Sequence, residues 1–196
     1  MVTIEDGVLY LPGGFFLEIR LVLVLAFVLI AAAFDVRSHR IPNWLVLAGA
    51  AMGVAWQVFE PALIDSGLAG ALEGMGVGFA LLLPLYLLHA MGAGDVKLMA
   101  MVGTYLGPRG AAHAALLSLI AGGVMAVVVT LAKGKLGALM ASIRQMFFGT
   151  LVNALTTGKT RVVAPAASVG KMPYGVAIAL GTIAHVVMTQ RGSALF

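Results

Sequence analysis

The chain has 196 residues, of which 61% are hydrophobic and only 10% are charged, with a mean hydropathy of +1.05. Soluble domains carry roughly 25% charged residues, so composition excludes an ordinary soluble enzyme and indicates a single-domain, all-α polytopic membrane protein over residues 1–196. Cysteine is absent, which excludes a disulfide framework or thiolate metal site, and the net charge of +4 reads as membrane orientation rather than as a nucleic-acid partner.

Nothing at the N-terminus resembles a cleaved signal peptide, which begins with positive charge; this chain begins with Glu5 and Asp6. Apolar runs predict six helices in chain order. The first covers Phe16 to Phe34, the second Trp44 to Phe59 and the third Leu72 to Leu88. The fourth, Val96 to Leu106, is short. At 1.5 Å per residue it rises only about 17 Å, so it either extends back through Gly92–Gly94 or lies buried among other helices. Gly107-Pro108-Arg109-Gly110 reads as a turn into the fifth, Ala111 to Leu131. A basic, moderately apolar segment at 132–171 follows, suited to a cytoplasmic or interfacial position. A seventh span there would disturb the charge bias. The sixth helix covers Pro173 to Met188, with Pro173 suited to a first turn.

Charge then orients these segments. Arg37 and Arg40, Lys97, and the cluster from Lys133 to Lys171 fall on one side, while Glu5, Asp6, Glu60 and Asp65 fall on the other with Arg109 and Arg191. Positive loops stay cytoplasmic, which places both termini outside. The cytoplasmic side then holds only two acids, Asp35 and Asp95. A carboxylate at membrane depth is costly and usually functional.

Three segments stand at that face. "FDVRSHRIPNW" (34–44) reads, alone, equally well as an ordinary turn, with Pro42 ending one helix and Asn43 capping the next. "GAGDVK" (92–97) admits simple helix packing with an Asp95–Lys97 pair, or a place where Gly92 and Gly94 let an extended substrate lie beside a carboxylate. "KMPYGVAIALG" (171–181) starts a helix with an interfacial tyrosine, Tyr174. His89, His113 and His185 are scattered without ligand spacing, and the methionines read as packing filler. Two carboxyls a few ångströms apart do not ionise independently and share a proton. The charged one activates a water and the protonated one polarises a peptide carbonyl. That chemistry needs no metal or cofactor.

These residues resemble the type IV prepilin peptidases, bacterial intramembrane aspartyl proteases with a GxGD motif. Asp35 with Ile41-Pro42-Asn43 matches the family's D-x5-I-P-N segment, Gly92 to Lys97 matches the GxGD segment, and Pro173-Tyr174-Gly175 resembles the last-helix signature. The resemblance implies Asp35 and Asp95 as catalytic residues. Gly92, Gly94, Lys97, Pro173, Tyr174 and Gly175 would shape the site, supported by Ile41, Pro42 and Asn43. It implies a multi-pass protein of the bacterial inner membrane whose partners are lipid and a prepilin or pseudopilin substrate, cut after a glycine. Longer relatives carry a cysteine-containing insertion and also N-methylate the trimmed pilin. This chain resembles the minimal form of tight-adherence (Flp-type) systems, so peptidase activity is implied and methyl transfer does not follow from it. A small proton-coupled transporter using paired acids is the rival reading, although no inverted repeat supports it.

Overall fold

The computed structural model describes residues 3–5, 8–11, 15–59, 67–88, 90–132, 134, 137 and 173–193. The expected basic segment at 132–171 therefore lies almost wholly outside the described residues, as do Glu60, Asp65 and His89.

The described chain opens with a three-stranded antiparallel sheet of β1 (Thr3–Glu5), β2 (Val8–Leu11) and β3 (Phe15–Glu18), in that order. Thr3 pairs with Tyr10, and Leu9 with Leu17. This shifts the first helix from its expected start at Phe16. Phe15 to Glu18 pair with β2, and aromatic and branched residues suit strands; an apolar run this short does not separate strand from helix by periodicity. Helix α1 (Ile19–Ser38) follows directly and ends where His39 turns left-handed, φ 50° and ψ 32°, donating its N–H to the Asp35 carbonyl at 2.8 Å. It runs one turn past the expected Phe34, so Asp35 sits inside the last turn.

Helix α2 (Asn43–Phe59) and helix α3 (Gly67–Leu87) follow. The Pro42 carbonyl accepts from Val46 at 3.4 Å, so Asn43 begins α2 rather than capping it. Helix α4 (Ala93–Ala132) joins the expected fourth and fifth segments into one element. Instead of a four-residue turn, the break is confined to Gly107, at φ 68° and ψ −178°, a conformation essentially restricted to glycine. Pro108 then opens the second half, where its missing N–H removes no bond. Helix α5 (Tyr174–Ser193) ends the described chain.

Side-chain contacts give the directions. Gly49 and Gly53 of α2 lie against Met101 and Thr104, so α2 runs parallel to the first half of α4. Gly74 meets Gly103 and Gly107, and Gly78 meets Met99, so α3 runs antiparallel to that half. The Gly74–Gly103 contact is backbone on backbone: a Cβ on Gly74 would lie 2.8 Å from Gly107 Cα, the close approach that small residues permit between apolar helices. The second half of α4 folds back at Gly107 and packs antiparallel to α5, pairing Gly110 with His185, Ser118 with Gly181 and Gly122 with Tyr174. Arg20, in the first turn of α1, pairs with Glu18 and donates to the Tyr105 carbonyl at 3.5 Å, while the last turn of α1 meets α5 at Gly175.

The short first half of α4 is the centre of the bundle. Leu98, Met99, Met101, Val102 and Tyr105 are fully buried or nearly so, and the Tyr105 hydroxyl donates to the Gly49 carbonyl at 2.8 Å. Large apolar residues such as Leu29, Leu47, Phe59, Leu116 and Val128 face outward, the opposite of a water-soluble fold. Among the described residues, three helices, Ile19–Ser38, Gly67–Leu87 and Ala93–Ala132, are long and apolar enough to cross a membrane; Asn43–Phe59 and Tyr174–Gln190 are shorter apolar helices.

Candidate active site

Asp35 and Asp95 come from opposite directions of the chain to one end of the bundle. Asp35 hangs from the last turn of α1, and its side chain is carried inward to 7% exposure. Its Oδ2 accepts the backbone N–H of Gly175 at 2.7 Å, across 140 residues of sequence. Gly175 is the second residue of α5, where N–H groups have no intrahelical partner. The absence of a side chain there leaves the carboxyl its room. A Cβ on Gly175 would sit 3.0 Å from Asp35 Oδ2 and 3.1 Å from its Cβ. The Pro173-Tyr174-Gly175 segment thus acts on Asp35 through its third residue.

Asp95 lies in the first turn of α4 and is 8% exposed. Its Oδ2 accepts the N–H of Gly92 at 3.0 Å, while its own N–H donates to the Gly92 carbonyl at 3.2 Å. This is the acidic half of a capping box, in which a side chain three residues into the helix reaches back to the N-cap amide. It locks the carboxyl in one orientation. The charges of Asp35 and Asp95 interact. Among the described residues, each carboxyl spends one oxygen on a backbone donor, and no hydrogen bond is made by the other.

The remaining expected site residues are distributed around this pair. Gly94 packs against Ile41, whose Cβ would be 3.3 Å from a Cβ on Gly94. Its bareness therefore brings the α1–α2 connection against the start of α4. Of the two readings this segment admits, helix packing and room for a substrate, these contacts belong to packing: Gly94 faces Ile41, and the Gly92 amide is held by Asp95. Lys97 does not pair with Asp95; its Nζ donates to Asn43 Oδ1 at 3.1 Å, tying α4 to α2. Pro173 precedes α5, and its carbonyl accepts from Val176 at 3.2 Å. Tyr174 is half-buried and interacts electrostatically with Asp95.

One further residue at this site was not legible in the sequence. Gly122, in the second half of α4, supports the Tyr174 ring: a Cβ there would lie 2.7 Å from the ring edge and 2.8 Å from the hydroxyl. Nothing distinguishes Gly122 among 25 glycines until Tyr174 is placed beside it. Two carboxyls in mutual electrostatic reach, buried and held from backbone donors, can divide acid and base roles between them.

Two of the three segments that build this site fall within a match to a known family. A family model, the type IV leader peptidase family, matches residues 22–127, more than half of the chain. The chain belongs to that family. The match takes in Asp35, the Ile41-Pro42-Asn43 segment and the whole of Gly92 to Lys97, whereas Pro173 to Gly175 lie beyond it. A member of the type IV leader peptidase family is a peptidase, in agreement with the motif resemblance, and the apolar helices make this one a membrane protein. No curated protein and no solved structure gives a significant match.

Proposed function

We propose that this leader peptidase is an aspartyl endopeptidase whose two catalytic groups are Asp35 and Asp95. It removes the short basic leader of Flp-type prepilins at the cytoplasmic face of the bacterial inner membrane. The observation that carries this reading is the meeting of the two acids: they stand in mutual electrostatic reach, buried, each held by a helix-start N–H. The ionised carboxyl takes a proton from water as that water attacks the scissile carbonyl. The protonated one donates to the carbonyl oxygen, and a proton then returns to the departing amine. One carboxylate and one carboxylic acid are regenerated when the peptide bond has broken, so the cycle closes without another reactant.

The basic-loop alternation supports six membrane passes with both termini outside, the two halves of α4 counting as two. The alternating directions of the helices agree with that arrangement. It puts Asp35 and Asp95 at the cytoplasmic end, within reach only of bonds close to that interface. The substrate's hydrophobic helix then stays intact, and the cut falls just before it, after a glycine. The absence of cysteine supports the minimal form of the family without methyl transfer.

Incubating the purified chain in liposomes with a Flp-type prepilin and locating the cut by mass spectrometry tests this reading. A single cut after the leader glycine is expected, blocked when a bulky residue replaces that glycine. Cuts in the middle of the substrate helix would make this a general intramembrane protease. No cut, together with ion flux sensitive to Asp35→Asn or Asp95→Asn, would make it a transporter.

A further inference from the structure

At the other end of the bundle from the two aspartates, a pair of histidines that the peptidase chemistry does not use is brought together. His113 lies in the second half of α4 and His185 in α5, far apart in sequence. Their ring centroids are 5.8 Å apart with the planes tilted by 58°. His185 is half-buried and His113 exposed. Gly110, one turn before His113, leaves the room: a Cβ there would lie 3.3 Å from His185 Nε2. His185 therefore packs against the turn of α4 that precedes His113. Both imidazoles line a cavity of about 320 Å³ together with Leu116, Leu117, Met188 and Thr189.

This site is separate from the dyad. Gly175 and His185 are ten positions apart along α5, which is about 15 Å of helix. An ionisable residue within a membrane helix calls for a partner and a function, and each histidine is the other's partner. Imidazole nitrogens bind zinc at about 2.0–2.1 Å, so two rings sharing one tetrahedral ion have centroids roughly 5–6 Å apart. The observed separation falls in that interval. Met188 and Thr189 also line it, the Thr189 hydroxyl donating to the His185 carbonyl at 3.0 Å. Arg109, one turn before His113, is exposed and does not line it.

We propose that His113 and His185 form a binding site for a late first-row transition-metal ion of the copper–zinc class, bridging α4 and α5. Imidazole suits both metals, and a thioether suits the softer copper. With two nitrogen ligands from the protein the ion is exchangeable, which marks a regulatory or environmental site rather than a permanent structural one.

Copper(II) titrated into the purified, tag-free full chain in detergent tests the proposal by electron paramagnetic resonance and calorimetry. The expected result is one ion per chain with hyperfine coupling to two nitrogens, and zinc(II), which such a site binds more weakly than copper(II), competes only in large excess. The chain has four histidines, so the controls are complete. His113→Gln and His185→Gln each lower affinity at least tenfold, whereas a His39→Asn/His89→Gln double variant leaves it unchanged. His113 is exposed, so His113→Gln keeps the fold and decides the matter even if His185→Gln does not. Unchanged affinity in His113→Gln overturns the proposal. So does a site lost only in the His39/His89 variant, or thermal stabilisation by inorganic phosphate without any metal bound.

Discussion

Gly175 leaves room for the Asp35 carboxyl because it carries no side chain. A methyl group there would press on the carboxyl at 3.0 Å from Oδ2, so the carboxyl would have to give by a few tenths of an ångström. A misplacement near 1 Å in a catalytic group costs on the order of 10²-fold in rate, so with Asp35 in the proposed role Gly175→Ala is expected to lower kcat by a smaller factor than that, with little change in KM, in a cleavage assay on the purified chain. Gly76→Ala is the control, since nothing lies within 4 Å of a Cβ at that position; it should leave turnover unchanged. Gly122→Ala and Gly123→Ala make a second pair. The first crowds Tyr174 and the second meets open space, so only the first should reduce cleavage. Equal activity of the two would remove Tyr174 from the site. Lys97→Ala breaks an exposed hydrogen bond to Asn43. Such a bond contributes about 0.5–1.5 kcal/mol to stability, so stability should fall by no more than that and cleavage should be reduced rather than lost. At this scale the two aspartates were legible, because a carboxylate in so apolar a chain is anomalous wherever it stands. The roles of Gly175 and Gly122 were not, since each depends on a partner delivered by a different helix.

Elements were legible where the apolar run was long and blurred where competing structures use the same residues. The run from Phe15 onward satisfies both a strand and a helix, and pairing with β2 decides in favour of β3 up to Glu18. Gly107-Pro108-Arg109-Gly110 signals a break, yet the backbone needs only one residue to turn α4 on itself, and helical geometry resumes at Pro108. A straight helix of 40 residues would extend about 60 Å, twice the roughly 30 Å hydrocarbon core, so the break is what makes α4 compatible with a membrane. Gly107→Ala would put a Cβ on a conformation that costs about 1–3 kcal/mol outside glycine. A lowered thermal midpoint of the purified protein is the expected outcome, and an unchanged midpoint would mean that the break is not where the structure places it. The weak fourth segment also finds its explanation here. Its 14 residues before Gly107 span too little for a lipid-facing helix, but they are surrounded by α2 and α3 and carry the most buried side chains of the fold.

For the whole molecule, the arrangement is one in which distant segments are stacked so that Asp35 and Asp95 meet at one end and the α4 break lies at the other. Ser38, exposed beside Asp35, and Arg109, exposed beside Gly107, mark those two ends. The chain has no native cysteine, so single cysteines at these positions report orientation directly. Ser38→Cys should react with an impermeant thiol reagent only from the cytoplasmic side and Arg109→Cys only from outside. The expected orientation rests on loop charge alone, a property of the whole chain summed over many residues, and these two labelling reactions test it. The site was readable only in part, because its three segments come together by helix packing. The most direct test of the account is the turnover of a prepilin-type substrate by Asp35→Asn and Asp95→Asn in the same liposomes as the native chain. Asparagine keeps the shape of the side chain and its backbone N–H contact but takes no proton. Each variant should insert normally and lose activity by at least the 10²–10⁴-fold that acid–base catalysis supplies, whereas near-native turnover of either variant would contradict a two-aspartate mechanism.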